Sequence, residues 1–194
     1  MKLFFTVLCA ALFSYCAAAR EVADASGRIF DFGAPPTAAT VVPNISQEVY
    51  AIGAQDFLLG NSNYCTYPED AKLKPKLGGL LNPDYEKIAK AAPEIFLLPL
   101  SPTGRAIARR LESVGVRPFF LNTEGLENVA KDILLLGKVF FKDAAAEKIA
   151  RDFDAEIRDE RGRQTGRGRK ALFMFGNMAA GRGSFVGGLL DACG

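Results

Sequence analysis

The side chains best suited to chemistry lie between residues 60 and 88, where Tyr64 and Tyr67 stand in a run of turn formers, Gly-Asn-Ser-Asn-Tyr-Cys-Thr-Tyr-Pro. Each tyrosine offers a flat apolar face with a polar tip, and Pro68 stiffens the chain behind them. Gly78 and Gly79 lack Cβ atoms, so the backbone there can approach a bound molecule closely. The chemistry this loop can do is stacking and hydrogen bonding. Tyr64 has a second possible role, because a phenolate is a hard oxygen donor able to ligate ferric haem iron.

Other reactive combinations are missing. The chain has no histidine, which excludes imidazole catalysis and the His-clustered sites typical of zinc and copper proteins. No Gly-x-Ser-x-Gly elbow and no cluster of carboxylates is visible in the linear order. Cys65 and Cys193 are far apart, with no second Cys or His beside either, which argues against a disulfide and against a zinc site. Gly181-x-Gly183 sits between a strand pattern and a helix pattern, yet the next glycine at 187 is one place late for a dinucleotide fingerprint. A net charge of +2 over 194 residues gives no reason to expect nucleic acid, and the basic Gly162–Arg169 stretch reads as a solvated connection.

The positioning elements begin after a leader. Lys2 precedes an almost wholly apolar run from Leu3 to Tyr15, too short to span a bilayer, and Ala17-x-Ala19 supplies small residues for a peptidase. Residues 1–19 are therefore expected to be a secretory signal peptide, cleaved after Ala19, which places the mature chain in the periplasm. Acylation at Cys16 is the competing route, but Phe13-Ser14-Tyr15 puts aromatics where a lipidation motif prefers Leu and a small residue.

Beyond a polar stretch at Glu21–Gly27, the patterns predict strands at Arg28–Phe32 and Thr40–Val42, then a helix at Ile45–Ile52 capped by Asn44 or Ser46. A strand at Asp56–Leu59, a helix at Pro83–Ala91, a strand at Glu94–Leu98, a helix at Thr103–Val114 and a strand at Arg117–Leu121 follow. Such alternation predicts an α/β architecture, a Rossmann-like N-terminal lobe over 20–122 with a parallel sheet covered by helices. Over 123–163 the apolar positions Leu126, Val129, Ile133, Leu136 and Phe140, then Ile149, Phe153 and Ile157, keep helical spacing. A long inter-lobe helix is expected there, with two packed helices as the alternative and Asp143 able to restart after a short break. Residues 164–194, with a strand at Lys170–Phe175 and a helix after Ser184, read as the start of a second α/β lobe that is cut off.

Several segments together resemble one family. Val42-Pro43-Asn44-Ile45-Ser46-Gln47 with Gly53-Ala54, Tyr64-Cys65-Thr66-Tyr67-Pro68 with Ala71, and Gly78-Gly79 through Asn82, Glu86 and Ile88 are similar to the periplasmic substrate-binding proteins of ABC importers for cobalamin, haem and ferric siderophores. Gln47 departs from that pattern, which carries Glu there. The resemblance implies an exported, non-catalytic solute-binding protein, monomeric, with a metal chelate as cargo, no cofactor, and an importer permease as partner. It implies ligand contacts at Asn44, Tyr64, Tyr67 and Leu80 in the first lobe, Tyr64 leading, and at Met178, Arg182 and Ser184 on the second lobe's rim. A tryptophan platform of the cobalamin-binding member would fall near Leu80, and this chain has no Trp. Glu86 corresponds to the glutamate that meets permease arginines, although at the start of a helix it can equally complement the dipole or face Lys90. The rival class is an exported α/β enzyme such as a small hydrolase.

Overall fold

The computed structural model describes residues 19–163, 170–176, 178–181 and 183–193. The expected signal peptide up to residue 18, the 164–169 connection and Arg182 lie outside them. In chain order the elements begin with β1 (Arg20–Ala23), β2 (Ile29–Phe32), β3 (Ala38–Thr40), α1 (Pro43–Ala51) and β4 (Leu58–Gly60). They continue with β5 (Gly78–Gly79), β6 (Asn82–Pro83), α2 (Tyr85–Ala91), β7 (Ile95–Pro99), α3 (Pro102–Ser113) and β8 (Arg117–Leu121).

The central sheet is parallel, in the order β4-β3-β7-β8. All five residues of β7 are buried. Alternation along that strand sends Ile95 and Leu97 to one face, with Ile45, Val49, Leu58 and Phe119. Phe96 and Leu98 go to the other face, with Ile88, Ile107, Leu111 and Phe120. The helix after β3 therefore covers one face and the helix after β7 the opposite face, a doubly wound arrangement.

Local chemistry sets the helix ends. Ser101 Oγ accepts from Gly104 N–H at 3.1 Å and Pro102 opens α3, while Asp84 Oδ1 accepts from Lys87 N–H at 3.1 Å at the start of α2. The expected cap of α1 is corrected. Val42 holds that position without a side-chain bond, Asn44 lies inside the first turn, and Ser46 is buried. Pro43 needs no N–H partner at that point, so the helix starts without a polar cap.

Further elements differ from the sequence pattern, and the strand expected at Thr40–Val42 lies at Ala38–Thr40. The start of the polar stretch expected at Glu21–Gly27 belongs instead to β1, which pairs antiparallel with β2. Val22 is the buried residue of that strand, too weak a signal by itself, and the hairpin is fixed by buried Asp24. Its carboxylate accepts from Ser26 N–H and Oγ–H, Arg28 N–H and, across to β8, Phe120 N–H. The expected strand at Asp56–Leu59 opens instead with a single tight turn at Gln55–Phe57, so the strand starts at Leu58.

The stretch expected to be one long helix divides into α4 (Val129–Val139) and α5 (Asp143–Arg163). Phe140 is fully buried, and Phe141 takes a left-handed conformation at φ 56° that reverses the chain. The reversal is clipped from outside by Arg20. Its guanidinium lies 4.3 Å from the Phe141 ring centre, donates to Lys138 O at 3.1 Å and pairs with Asp143 at 2.7 Å. The two helices then pack side by side, with Gly137 against Ala146. Along α5, Glu147 pairs with Arg151 at 3.6 Å, and Arg163 pairs with Glu160.

The chain ends in a short antiparallel hairpin of β9 (Met174–Phe175) and β10 (Met178–Ala179), followed by α6 (Phe185–Cys193). Helix α6 packs on α5 and on the turn at Leu126–Asn128, while Leu172, Phe175 and Met178 remain exposed. No described helix is long and apolar enough to cross a membrane.

The α4–α5 contact yields a test. A Cβ on Gly137 would stand 2.4 Å from Ala146 Cβ, whereas one on Gly162 would meet nothing within 4 Å. Gly137→Ala should lower stability by about 1–3 kcal/mol through overpacking. Gly162→Ala should leave it unchanged or raise it by up to about 1 kcal/mol. Urea denaturation of both variants checks this, and equal effects would refute the close helix contact.

Candidate ligand-binding site

Helices α1 and α4 cover the same face of the sheet, and between their outer surfaces lies a cavity of about 580 Å³. Helix α1 supplies Asn44, Gln47, Glu48 and Ala51, spaced so that they share one side of the helix. The opposite side carries Ile45, Val49 and Ile52 into the core, which fixes the rotation of α1 and turns its polar side to the cavity. Val129, Asp132 and Ile133 of α4 form the facing wall, Thr123 follows the carboxyl end of β8, and Tyr67 and Phe185 add aromatic surface. The walls are thus largely apolar, with a few convergent polar groups, the composition of small-molecule sites.

The loop that brings Tyr67 there is held by buried polar contacts. Asn61 donates from Nδ2 to Ala71 O at 2.8 Å. Lys76 Nζ donates to Asn61 Oδ1 at 2.8 Å, Ala71 O at 3.0 Å and Cys65 O at 3.2 Å, so one ammonium gathers three acceptors from different parts of the loop. Cys65 is buried, and its thiol lies 3.2 Å from Ser46 Oγ on α1. Nothing in the local pattern marks Lys76 as the organiser; only the folded loop brings its acceptors together.

The residues expected to touch ligand separate into groups. Asn44 and Tyr67 line the cavity. Tyr64 lies outside its lining, 70 % exposed, with its ring so close over Gly79 that a Cβ there would come within 2.8 Å of it. Leu80 lines a different groove, of about 500 Å³, with Leu81, Pro83, Tyr85 and Arg110. Met178 and Ser184 border a third depression beside Phe185. Glu86 is exposed in the first turn of α2.

The cavity's electrostatics rest on two residues that the linear order did not bring together. Burial pushes the Glu48 carboxyl up to about 8, the negative charge of Asp132 adds to that, and a hydrogen bond from the Asn44 side chain opposes it. Burial likewise raises Asp132 to about 6, against the Asn122 N–H, which donates to its Oδ1 at 3.0 Å, and the charge of Lys131. Glu48 Oε2 is closed off from solvent with no hydrogen-bond partner among the described residues. The expectation of no carboxylate cluster is therefore corrected for this pair, which tertiary packing of α1 on α4 assembles. A charged residue beside Ile133 on an otherwise apolar stripe was the available signal for Asp132. Glu48 adjoins Gln47, so a carboxyl stands one residue beyond the position that had seemed to lack it. No group of three or more Asp, Glu, His or Cys able to hold a metal ion occurs among the described residues.

Raised folded-state carboxyl values weaken the fold as pH rises. Below the unfolded value both states are protonated; above it only the unfolded chain ionises freely, so stability falls until the folded group also titrates. For Glu48 that window runs from its ordinary 4.5 to about 8. The loss should approach about 1.4 kcal/mol per pH unit within it. Glu48→Gln should flatten the dependence of the denaturation midpoint between pH 6 and 8. An unchanged slope would show that Glu48 is ordinarily solvated.

The fold and sequence are similar to those of known proteins. A segment of 118 residues is 25 % identical to the vitamin B12-binding protein of Vibrio campbellii, covering 61 % of this chain and 43 % of the relative. The solved vitamin B12-binding protein BtuF of Vibrio cholerae superposes with a TM-score of 0.72 at 20 % identity, over 82 % of this chain and 64 % of that one. The siderophore-binding protein BauB, solved with two acinetobactin molecules and ferric iron, gives 0.75 at 19 % identity, over 91 % and 66 %. The chain spans about two fifths of the length of the curated relatives it matches. At these identities the solved structures carry the fold, and the fold agrees with the α/β architecture expected. The periplasmic binding protein family matches residues 39–194, most of the sequence, and the chain belongs to that family.

Proposed function

We propose that this chain forms the N-terminal lobe and the start of the second lobe of an exported solute-binding protein, which holds a metal chelate and delivers it to an ABC importer without catalysis. The observation that carries this reading is the cavity between α1 and α4, with its aromatic and apolar walls and few polar groups. Cobalamin, haem and a ferric siderophore are the cargo classes, and each is named as the ligand of a similar solved protein. In the proposed division residues 1–19 are the signal peptide, 20–122 the first lobe, 123–163 the connecting helices and 164–194 the opening of the second lobe. An enzymatic reading gains the Glu48–Asp132 pair, but no serine or cysteine is among the described lining residues.

We give the two tyrosines the opposite order to the one expected from sequence, because Tyr67 lines the cavity and Tyr64 is not among its described lining residues. Tyr67→Ala should weaken chelate binding by about 1–3 kcal/mol, in the range of base stacking on aromatic platforms, and Tyr64→Ala by less. Absorbance or tyrosine-fluorescence titration with cyanocobalamin, haemin and a ferric hydroxamate measures both. A larger loss for Tyr64→Ala would move the site to the Gly79 side of the loop.

Glu86 is proposed to meet arginines of the permease, as its exposure permits. Neighbouring Asp84 already caps α2 and pairs with Lys87 at 2.9 Å, so the helix does not need Glu86 for capping. Glu86→Arg should leave chelate affinity unchanged and reduce uptake or importer ATPase stimulation, more than Glu86→Ala does, because like charges across an interface are costly. Normal uptake by the Glu86→Arg protein would remove the docking role.

A further inference from the structure

We propose that Glu48 and Asp132 set the charge specificity of the cavity, which takes a chelate whose buried face is neutral or cationic and carries amide or hydroxyl donors. This rests on the cavity being the cargo site. Its described lining contains two carboxyls and no lysine or arginine. The neighbouring cation, Lys131, is directed elsewhere, with its Nζ 3.3 Å from Asn128 Oδ1. The positive end of α1 at Pro43 amounts to about half an elementary charge, less than one carboxylate. A ligand anion entering here would be desolvated against Asp132 with no countercharge among the described lining residues.

The second observation is Glu48 Oε2, buried and without a partner. A buried polar atom left unpaired is unfavourable, and a ligand N–H or O–H placed against it removes that defect. Asn44 adds an amide on the same wall, and Tyr67 and Phe185 supply flat apolar surface for the ligand's body. Glu48 and Asp132 occupy opposing helices, so a donor-bearing group between them can meet both carboxyls.

The test titrates the chain with four probes: cyanocobalamin, neutral and rich in amides; ferrioxamine B, a cationic hydroxamate; haemin, with its propionates; and an anionic ferric tris-catecholate. The expected result is binding of cyanocobalamin or ferrioxamine B at least about tenfold tighter than either anionic probe. Glu48→Gln combined with Asp132→Asn should shrink that preference while both proteins keep the same far-UV spectrum. Each single variant is measured beside the double, so that a folding failure in one leaves the others as readouts. Tighter binding of haemin or the catecholate by the native chain, or an unchanged preference in the substituted ones, would overturn the inference and leave the solute-binding reading standing. If none of the four binds, the solute-binding reading falls and this inference with it.

Discussion

Strand β7 has no solvent side. Its residues Ile95 to Leu98 are each fully buried, and because successive side chains leave opposite faces, both faces of the sheet must be covered. That requirement places α1 and α4 on one face and α3 on the other. It also fixes the rotation of α1, since Ile45, Val49 and Ile52 have to face inward. The side bearing Asn44, Gln47 and Glu48 is then left looking toward α4, and the cavity is the space that results.

Two cations stabilise the irregular parts that the sheet does not reach. Lys76 ties the tyrosine loop together through three oxygen acceptors, and Arg20 clips the α4–α5 turn through a ring face, a carbonyl and a carboxylate. Each acts where backbone groups would otherwise lack partners or a chain reversal would be loosely held. The loop in turn presents Tyr67 to the cavity, so the site depends on an ammonium that never touches the space it shapes.

The carboxyl pair runs against stability. Burial raises the titration of both, the charge of Asp132 adds to the rise at Glu48, and at neutral pH that favours the unfolded chain. An apolar pair at the same positions would pack without that penalty. Destabilising polar groups that line a cavity are the expected mark of a binding surface, where the ligand completes interactions the protein leaves open.

The α/β class, the parallel sheet and the positions of β7, α3 and β8 were legible in the sequence, because continuous apolar runs and helical spacing are local signals of burial. Asn44 and Tyr67 stood out in the sequence as well, through turn chemistry and family likeness, and both line the cavity. What only the tertiary structure decided depends on partners distant in the chain. Strand β1 exists because β2 and Asp24 hold it. The helical stretch after Thr123 divides because Phe140 must enter the core and Arg20 secures the reversal that follows. Glu48 and Asp132 form a pair because the core-facing sides of α1 and α4 bring them to one cavity. Sequence periodicity reports which side of an element is buried; it carries no information on which other element will lie against the exposed side.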